Sequence, residues 1–190
     1  MEQLFDYISK RIDLTKEVKE FTKSISTIKK IRKGDVLIRE NQNVNKTYFV
    51  LGGCLRSYVF DKSGKEHTLQ FALKNDWISD YTAIFNNEKS SQTVECIADS
   101  IVVETSVSEG IENIFLRFPK IESIHRKNLE RNIVSLQKRI LNQLQLTSLD
   151  RYKIFLKQYP EIEKYALNYH IASYLGITQQ SLSRIRASYK

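Results

Sequence analysis

Residues 168–187 read Asn-Tyr-His-Ile-Ala-Ser-Tyr-Leu-Gly-Ile-Thr-Gln-Gln-Ser-Leu-Ser-Arg-Ile-Arg-Ala. Taken position by position, the stretch predicts two short helices crossing at a tight turn. Ala172 is small where the helices must approach closely. Gly176 stands at the turn, where a positive φ costs glycine little. Ile171, Leu175, Ile177, Leu182 and Ile185 are spaced to lock the two helices together. Thr178 follows the turn and can cap the second helix by accepting a backbone N–H. From there Thr178, Gln179, Gln180, Ser181, Ser183, Arg184 and Arg186 form a polar face without an acidic residue. Such side chains suit base edges and phosphates, so these seven are the candidate DNA-binding residues of a helix-turn-helix.

Charge is distributed to match. The chain has 190 residues and a formal net charge of +8. Residues 1–118 hold 17 basic and 17 acidic residues, whereas residues 119–190 hold 13 basic and 5 acidic ones. The whole excess lies in the part that carries the two-helix motif, as expected for a neutral domain joined to a nucleic-acid binder. Just upstream, no Gly or Pro interrupts residues 120–159. Leu129, Ile133, Leu136 and Ile140 step by four, three and four, although Gln143 takes the next seam position, with Leu144 beside it. Between them stand polar residues such as Glu130, Arg131, Gln137, Lys138 and Arg139. A stripe this narrow favours a coiled-coil-like homodimer seam over a helix packed on its own domain. A break near Thr147-Ser148 separates this long helix from a compact C-terminal helical unit.

The N-terminal part reads differently. Leu4, Ile8, Ile12, Leu14, Val18 and Phe21 recur at helical steps over residues 2–22. Short strands with regular turns follow: Ile25 to Ile31, Val36 to Ile38, Tyr48 to Leu51 running into Gly52-Gly53, and Leu55 to Phe60. Asp61-Lys62-Ser63-Gly64 is a hairpin signal. Leu69, Phe71 and Leu73 alternate with polar or small residues as in a half-buried strand. Thr93 to Cys96 and Ile101 to Val103 complete a barrel or sandwich pattern. Ser108 is a candidate cap for a short helix ending before Pro119. The N-terminus lacks the basic-then-apolar pattern of a signal peptide, and no apolar run is long enough to span a membrane, so the expected location is the cytoplasm. Cys54 and Cys96 lack CxxC spacing and are expected to be reduced there.

With these residues in hand, the chain resembles the Crp/Fnr family of bacterial transcription regulators. Lys33-Gly34-Asp35-Val36-Leu37 resembles the family's early turn, and Tyr48-Phe49-Val50-Leu51-Gly52-Gly53-Cys54-Leu55-Arg56 its strand-turn-strand. Lys65-Glu66 and the Thr68–Phe71 strand resemble its hairpin, and Ile171–Thr178 with Leu182–Arg186 its DNA-reading end. The resemblance implies an α+β chain: an N-terminal β-roll (a double-stranded, jelly-roll-like β-helix) with flanking helices, a long dimerisation helix and a C-terminal helix-turn-helix domain. The corresponding divisions are 1–118, a cyclic-nucleotide-binding-like sensor domain; 119–146, the dimerisation helix; and 147–190, the DNA-binding domain. It implies a homodimer on a near-palindromic double-stranded DNA operator, one reading helix per half-site, with RNA polymerase a candidate partner. The sequence stops at Lys190 soon after the reading helix, so phosphate contacts are expected from that helix, its partner helix and the basic 120–164 segment rather than a β-wing.

The departures from the family concern its effector. In cyclic-AMP binders a Gly-Glu-Leu segment opens a phosphate cassette and an Arg-Ser pair closes it, the Arg neutralising the cyclic phosphate. Here those places hold Ser79, Asp80 and Tyr81, then Ser90 and Ser91. Lys89 lies adjacent, but a lysine does not replace a bidentate fork. A cyclic phosphate facing Asp80 without that Arg would be poorly compensated, so the pocket is read as degenerate and unresponsive to cyclic AMP. Two cysteines are too few for an iron–sulfur cluster. His67, His125 and His170 lie on different elements without metal-ligand spacing. A thiol sensor at Cys54 lacks a close basic neighbour. No cofactor is expected, and the small-molecule effector is not identified. A cupin-like enzyme would need a metal or acid/base cluster that the barrel segment lacks. An adaptor whose helical tail binds protein is the competing reading, and salt-dependent DNA binding separates the two.

Overall fold

A computed structural model describes residues 1–189, Tyr189 through its backbone alone; Lys190, the end of the third expected division, lies outside the described residues. Helices α1 (Glu2–Ser9) and α2 (Lys16–Ile25) open the chain. The apolar period predicts one helical stretch over 2–22; the structure breaks it after Ser9. Thr15 is the reason, since its side chain accepts the Val18 N–H at 3.4 Å and starts a new helix. Leu4, Phe5, Tyr7 and Ile8 form the buried side of α1.

Six strands follow: β1 (Ser26–Ile31), β2 (Val36–Ile38), β3 (Lys46–Phe60), β4 (Glu66–Ala72), β5 (Trp77–Ile78) and β6 (Thr93–Ser106). All pairings are antiparallel, in the order β1-β6-β3-β4, with β2 on β6 and β5 on β3. The two segments expected on either side of Gly52-Gly53 are one long bent strand. Its register against β6 shifts at Gly52 and again near Cys54, as β-bulges do where a sheet coils. Gly53 has φ 90° and packs so closely on β6 that a Cβ would stand 2.5 Å from the Asp99 carbonyl oxygen. Only glycine fits there. At the hairpin, the Asp61 carboxylate accepts the backbone N–H groups of Ser63 and Lys65, and Gly64 adopts φ 80°.

The roll interior is filled by Tyr48, Val50, Leu55, Ile78, Val94 and Val102. The alternation expected along β4 does not hold, because both of its faces are covered. Ala72 faces the roll interior, while Phe71 packs outward on Phe155, Tyr159 and Tyr174 of the C-terminal helices. Leu69 and Leu73 are only half-buried. Helix α3 (Tyr81–Asn86) lies between β5 and β6, and α4 (Ile111–Arg117) follows the roll. Gly110 (φ 87°), not Ser108, precedes α4; the Ser108 hydroxyl is paired with Ser106 in the turn before it.

Helix α5 runs from Pro119 to Gln145, with proline at its first position, where its missing N–H costs nothing. Its first turns are anchored: Ile124 is buried with Leu4, Ile8, Phe49 and Val103. Thr147 then caps α6 (Ser148–Gln158) by accepting the Asp150 N–H. A short 3-10 turn (Ile162–Lys164), α7 (Asn168–Leu175) and α8 (Gln179–Tyr189) complete the chain.

Candidate nucleic-acid interface and effector cleft

The two-helix motif folds as its residues dictate. Gly176 ends α7 in the left-handed conformation (φ 67°), and its N–H bonds the Ala172 and Ser173 carbonyls. Thr178 Oγ1 accepts the Ser181 N–H at 3.1 Å and starts α8. Ile171, Ala172, Leu175 and Leu182 are buried, with Ile177 and Ile185 packed at the edge of the same cluster. Around the outside of α8, Thr178, Gln179, Gln180, Ser183 and Arg184 are exposed and Ser181 is half-buried. Arg186 is placed differently: its guanidinium bonds Glu163, Tyr152 and Asn168 of neighbouring elements.

Helix α7 is docked on the roll. Ser173 Oγ accepts the Thr68 N–H at 2.8 Å and donates to the Glu66 carbonyl at 2.8 Å, filling the open edge of β4. Beneath it lies a charge cluster that no local spacing signals. Arg56 is fully buried and bonds both Glu66 and Glu95, with Thr68 Oγ1 at 3.1 Å. A buried arginine without both carboxylates would be an uncompensated charge. His170, also buried, accepts the Leu167 N–H at Nδ1 and turns Nε2 toward Glu95 at 4.0 Å. Burial, with Arg56 and Lys33 adding to it, holds the His170 pKa down to about 3.

Outward from the roll, α5 shows an inverted pattern. The side chains it turns on its own chain are polar: Asn128 accepts the Tyr7 hydroxyl, Arg131 bonds the same hydroxyl, Ser135 bonds Gln158, and Arg139 bonds the Leu69 carbonyl at 2.6 Å. Leu129, Ile133 and Leu136 border an open cleft, and Ile140, Leu141 and Leu144 are exposed beyond it. Ile133, Leu136 and Ile140 are 54%, 48% and 56% exposed. Val134, Leu141 and Leu144 are exposed beside them, and Leu129 is half-buried. An ordinary surface helix has the opposite arrangement.

Between the roll, α5 and the C-terminal helices lies a cleft of about 560 Å³. Ser79 and Asp80 line it; Ser90 and Ser91 do not. Three of the four, Asp80, Ser90 and Ser91, are nevertheless one hydrogen-bonded unit, while the Ser79 hydroxyl donates to the Lys46 carbonyl at 2.7 Å. Asp80 Oδ1 caps α3 by accepting the Ala83 N–H at 3.1 Å, while Oδ2 accepts the Ser90 hydroxyl at 2.8 Å and the Ser91 N–H at 3.0 Å. The Asp80 carboxylate is thus satisfied from within, by the Ala83 N–H, the Ser90 hydroxyl and the Ser91 N–H. Lys89 is exposed. The cleft arginine from α5, Arg139, is held by the Leu69 carbonyl and the Tyr174 ring face, 4.8 Å from its centroid.

Both cysteines are free and buried, and burial pushes both thiols up, away from the reactive thiolate. His67 pairs with Asp61 on the surface, and His125 packs among Trp77, Tyr81 and Phe115. Among the described residues no cluster of three or more His, Cys, Asp or Glu side chains could hold a metal. No helix there is long and apolar enough to cross a membrane.

Known proteins share this architecture. Residues 28–114 match the cyclic nucleotide-binding domain family. The anaerobic regulatory protein of Haemophilus influenzae is 23% identical over 180 residues, covering 89% of this chain and 69% of that protein. Among solved structures, FixK2 from Bradyrhizobium japonicum superposes with a TM-score of 0.73 at 19% identity, over 86% of this chain and 84% of that one. A protein from Eubacterium rectale assigned to the Crp/Fnr family of transcriptional regulators gives 0.73 at 16% identity, over 95% and 87%. These two likenesses establish the fold, including the roll, the long helix and the C-terminal helix pair.

Proposed function

We propose that this chain is a regulator of the Crp/Fnr family that works as a homodimer, binds a near-palindromic DNA site and does so without cyclic AMP. The observation that carries the reading is the face of α8. Gln179, Gln180, Ser183 and Arg184 are exposed together, without an acid among them, on a helix fixed by the Gly176 turn and the Thr178 cap. A helix of that kind enters a major groove and offers amide and guanidinium groups to base edges. The excess positive charge of residues 119–190 supplies the phosphate-driven part of the affinity. The divisions at 118/119 and 146/147 then separate sensing, pairing and reading.

Dimerisation is supported by α5. Its outward stripe of Leu129, Ile133, Leu136 and Ile140 is covered by the same stripe of a second copy, which sets two reading helices about one DNA turn apart. Independence from cyclic AMP is supported by the closed Asp80–Ser90–Ser91 unit, built from a carboxylate and hydroxyls where a phosphate would need a cation. No enzymatic step is assigned, and the cytoplasm is the proposed location. Selecting bound sequences from a random duplex pool tests the function. Enrichment of a two-fold symmetric site, bound with an affinity that falls steeply with salt, is the expected result. No retention of duplex DNA even at low salt favours the adaptor reading instead.

A further inference from the structure

We infer that Arg186 is a positioning residue for DNA reading and does not itself touch DNA: held by Glu163, Tyr152 and Asn168, it sets the angle at which α8 meets the groove. The inference rests on the proposed DNA-binding function. Arg186 follows Arg184 by two residues, so it lies about 200° around the helix from it. Arg184 accordingly faces solvent while Arg186 faces the body of the domain, its side chain 26% exposed. All three guanidinium nitrogens have partners. Nη2 lies 2.7 Å from Glu163 Oε1, Nε donates to the Tyr152 hydroxyl at 3.2 Å, and Nη1 donates to Asn168 Oδ1. Tyr152 in turn donates to Glu163 Oε1 at 2.7 Å. These partners belong to α6, the 3-10 turn and the first residue of α7, so one side chain ties the reading helix to every other element of its domain. The planar fork fixes direction as well as distance, which a lysine would not. Glu163 itself is an acid in a basic, DNA-binding unit, where it repels phosphate. It is useful there if it holds Arg186, since reading residues must be kept within fractions of an ångström of their working geometry.

The test compares affinities of the 190-residue chain for its selected duplex and for random duplex across a salt series. The variants are Glu163→Gln, Arg186→Lys, Arg186→Ala and Arg184→Ala. Removing an acid ordinarily tightens DNA binding. Here Glu163→Gln is expected to weaken binding to the selected site by about tenfold, the order of discrimination that one base-reading side chain supplies, with random-DNA affinity unchanged or slightly raised. Arg186→Ala should do the same with the salt dependence intact, and Arg186→Lys should recover part of the discrimination. Arg184→Ala should lose the selected site whatever Glu163 does. A salt slope reduced by about one in Arg186→Ala, the mark of one phosphate no longer neutralised, with tighter binding by Glu163→Gln, overturns the inference. So does a parallel loss on both DNAs with a lowered unfolding midpoint, which would make the network a matter of stability alone. Glu163→Gln keeps the shape of the site, so it decides the question if Arg186→Ala does not fold. A wild-type chain that enriches no sequence overturns the function itself, which the variants need not be made to reveal.

Discussion

Ser90 donates its hydroxyl to Asp80 at 2.8 Å, and in the proposed reading it stands where a cyclic-nucleotide binder would carry an arginine. Arg56 is the converse case, a charge brought wholly inside and matched by Glu66 and Glu95. At this scale two outcomes are expected. Arg184→Ala should cost roughly 1–3 kcal/mol on the selected site and much less on random DNA, as equilibrium titration of both duplexes would read. Equal losses would mean that Arg184 touches phosphate only. The second concerns acid. His170 has a folded pKa held down to about 3, against about 6.5 for an unperturbed histidine. Between those values the unfolded chain binds the proton more readily, so its contribution to stability is complete above about pH 6.5 and is lost as pH falls toward 3. The slope is at most about 1.4 kcal/mol per pH unit for one group. His125, held down to about 4 by burial, acts in the same direction. Glu95 does not rescue His170, being already engaged by Arg56. Thermal unfolding from pH 7 to 5 should therefore fall less steeply in His170→Gln than in the wild type; identical slopes would show that His170 plays no part in it.

Among the elements, α5 carries the proposed assembly. Leu136→Glu would bury two like charges at the seam or prevent it from closing. It is expected to give monomers by light scattering and to lose the selected site while keeping the fold of each chain. A wild type that is monomeric at micromolar concentration would contradict the seam. The elements also show what a sequence discloses. The α7–α8 pair is legible because its determinants are local: the small Ala172, the turn at Gly176 and the cap at Thr178 lie within seven residues. The Asp61–Gly64 hairpin is legible for the same reason. Distance hides the rest. Asp80 meets its serines ten and eleven residues away, and Arg56 meets Glu95 thirty-nine residues away. The alternation of β4 misleads because a third layer, the C-terminal helices, covers its outer face with Phe155, Tyr159 and Tyr174. Arg186 looks like a reader by composition and is turned inward by partners on three other elements. The start of α2 at Thr15 could have been found from its cap; the apolar period running through Ile12 and Leu14 concealed it.

Across the whole molecule, roll, long helix and helix-turn-helix meet at one cleft, walled by Ser79 and Asp80, by Leu136 and Arg139, and by Tyr159 and Tyr174. What fills that cleft touches all three parts. A cyclic nucleotide is not expected to, because each charge-assisted hydrogen bond missing at Ser90 costs about 1.5–3 kcal/mol, enough to move a micromolar ligand toward millimolar. Calorimetric titration with cyclic AMP and cyclic GMP should show no stoichiometric micromolar binding, and DNA affinity should be the same with and without them; a micromolar signal that sharpened DNA binding would reopen the site, with Lys89 the first residue to test. Whether two chains read one DNA site is decided by the mass of the complex on one selected palindromic duplex, measured by sedimentation. Two chains per duplex are expected, with affinity collapsing when one half-site is scrambled. One chain per duplex, or an affinity indifferent to the second half-site, would contradict it.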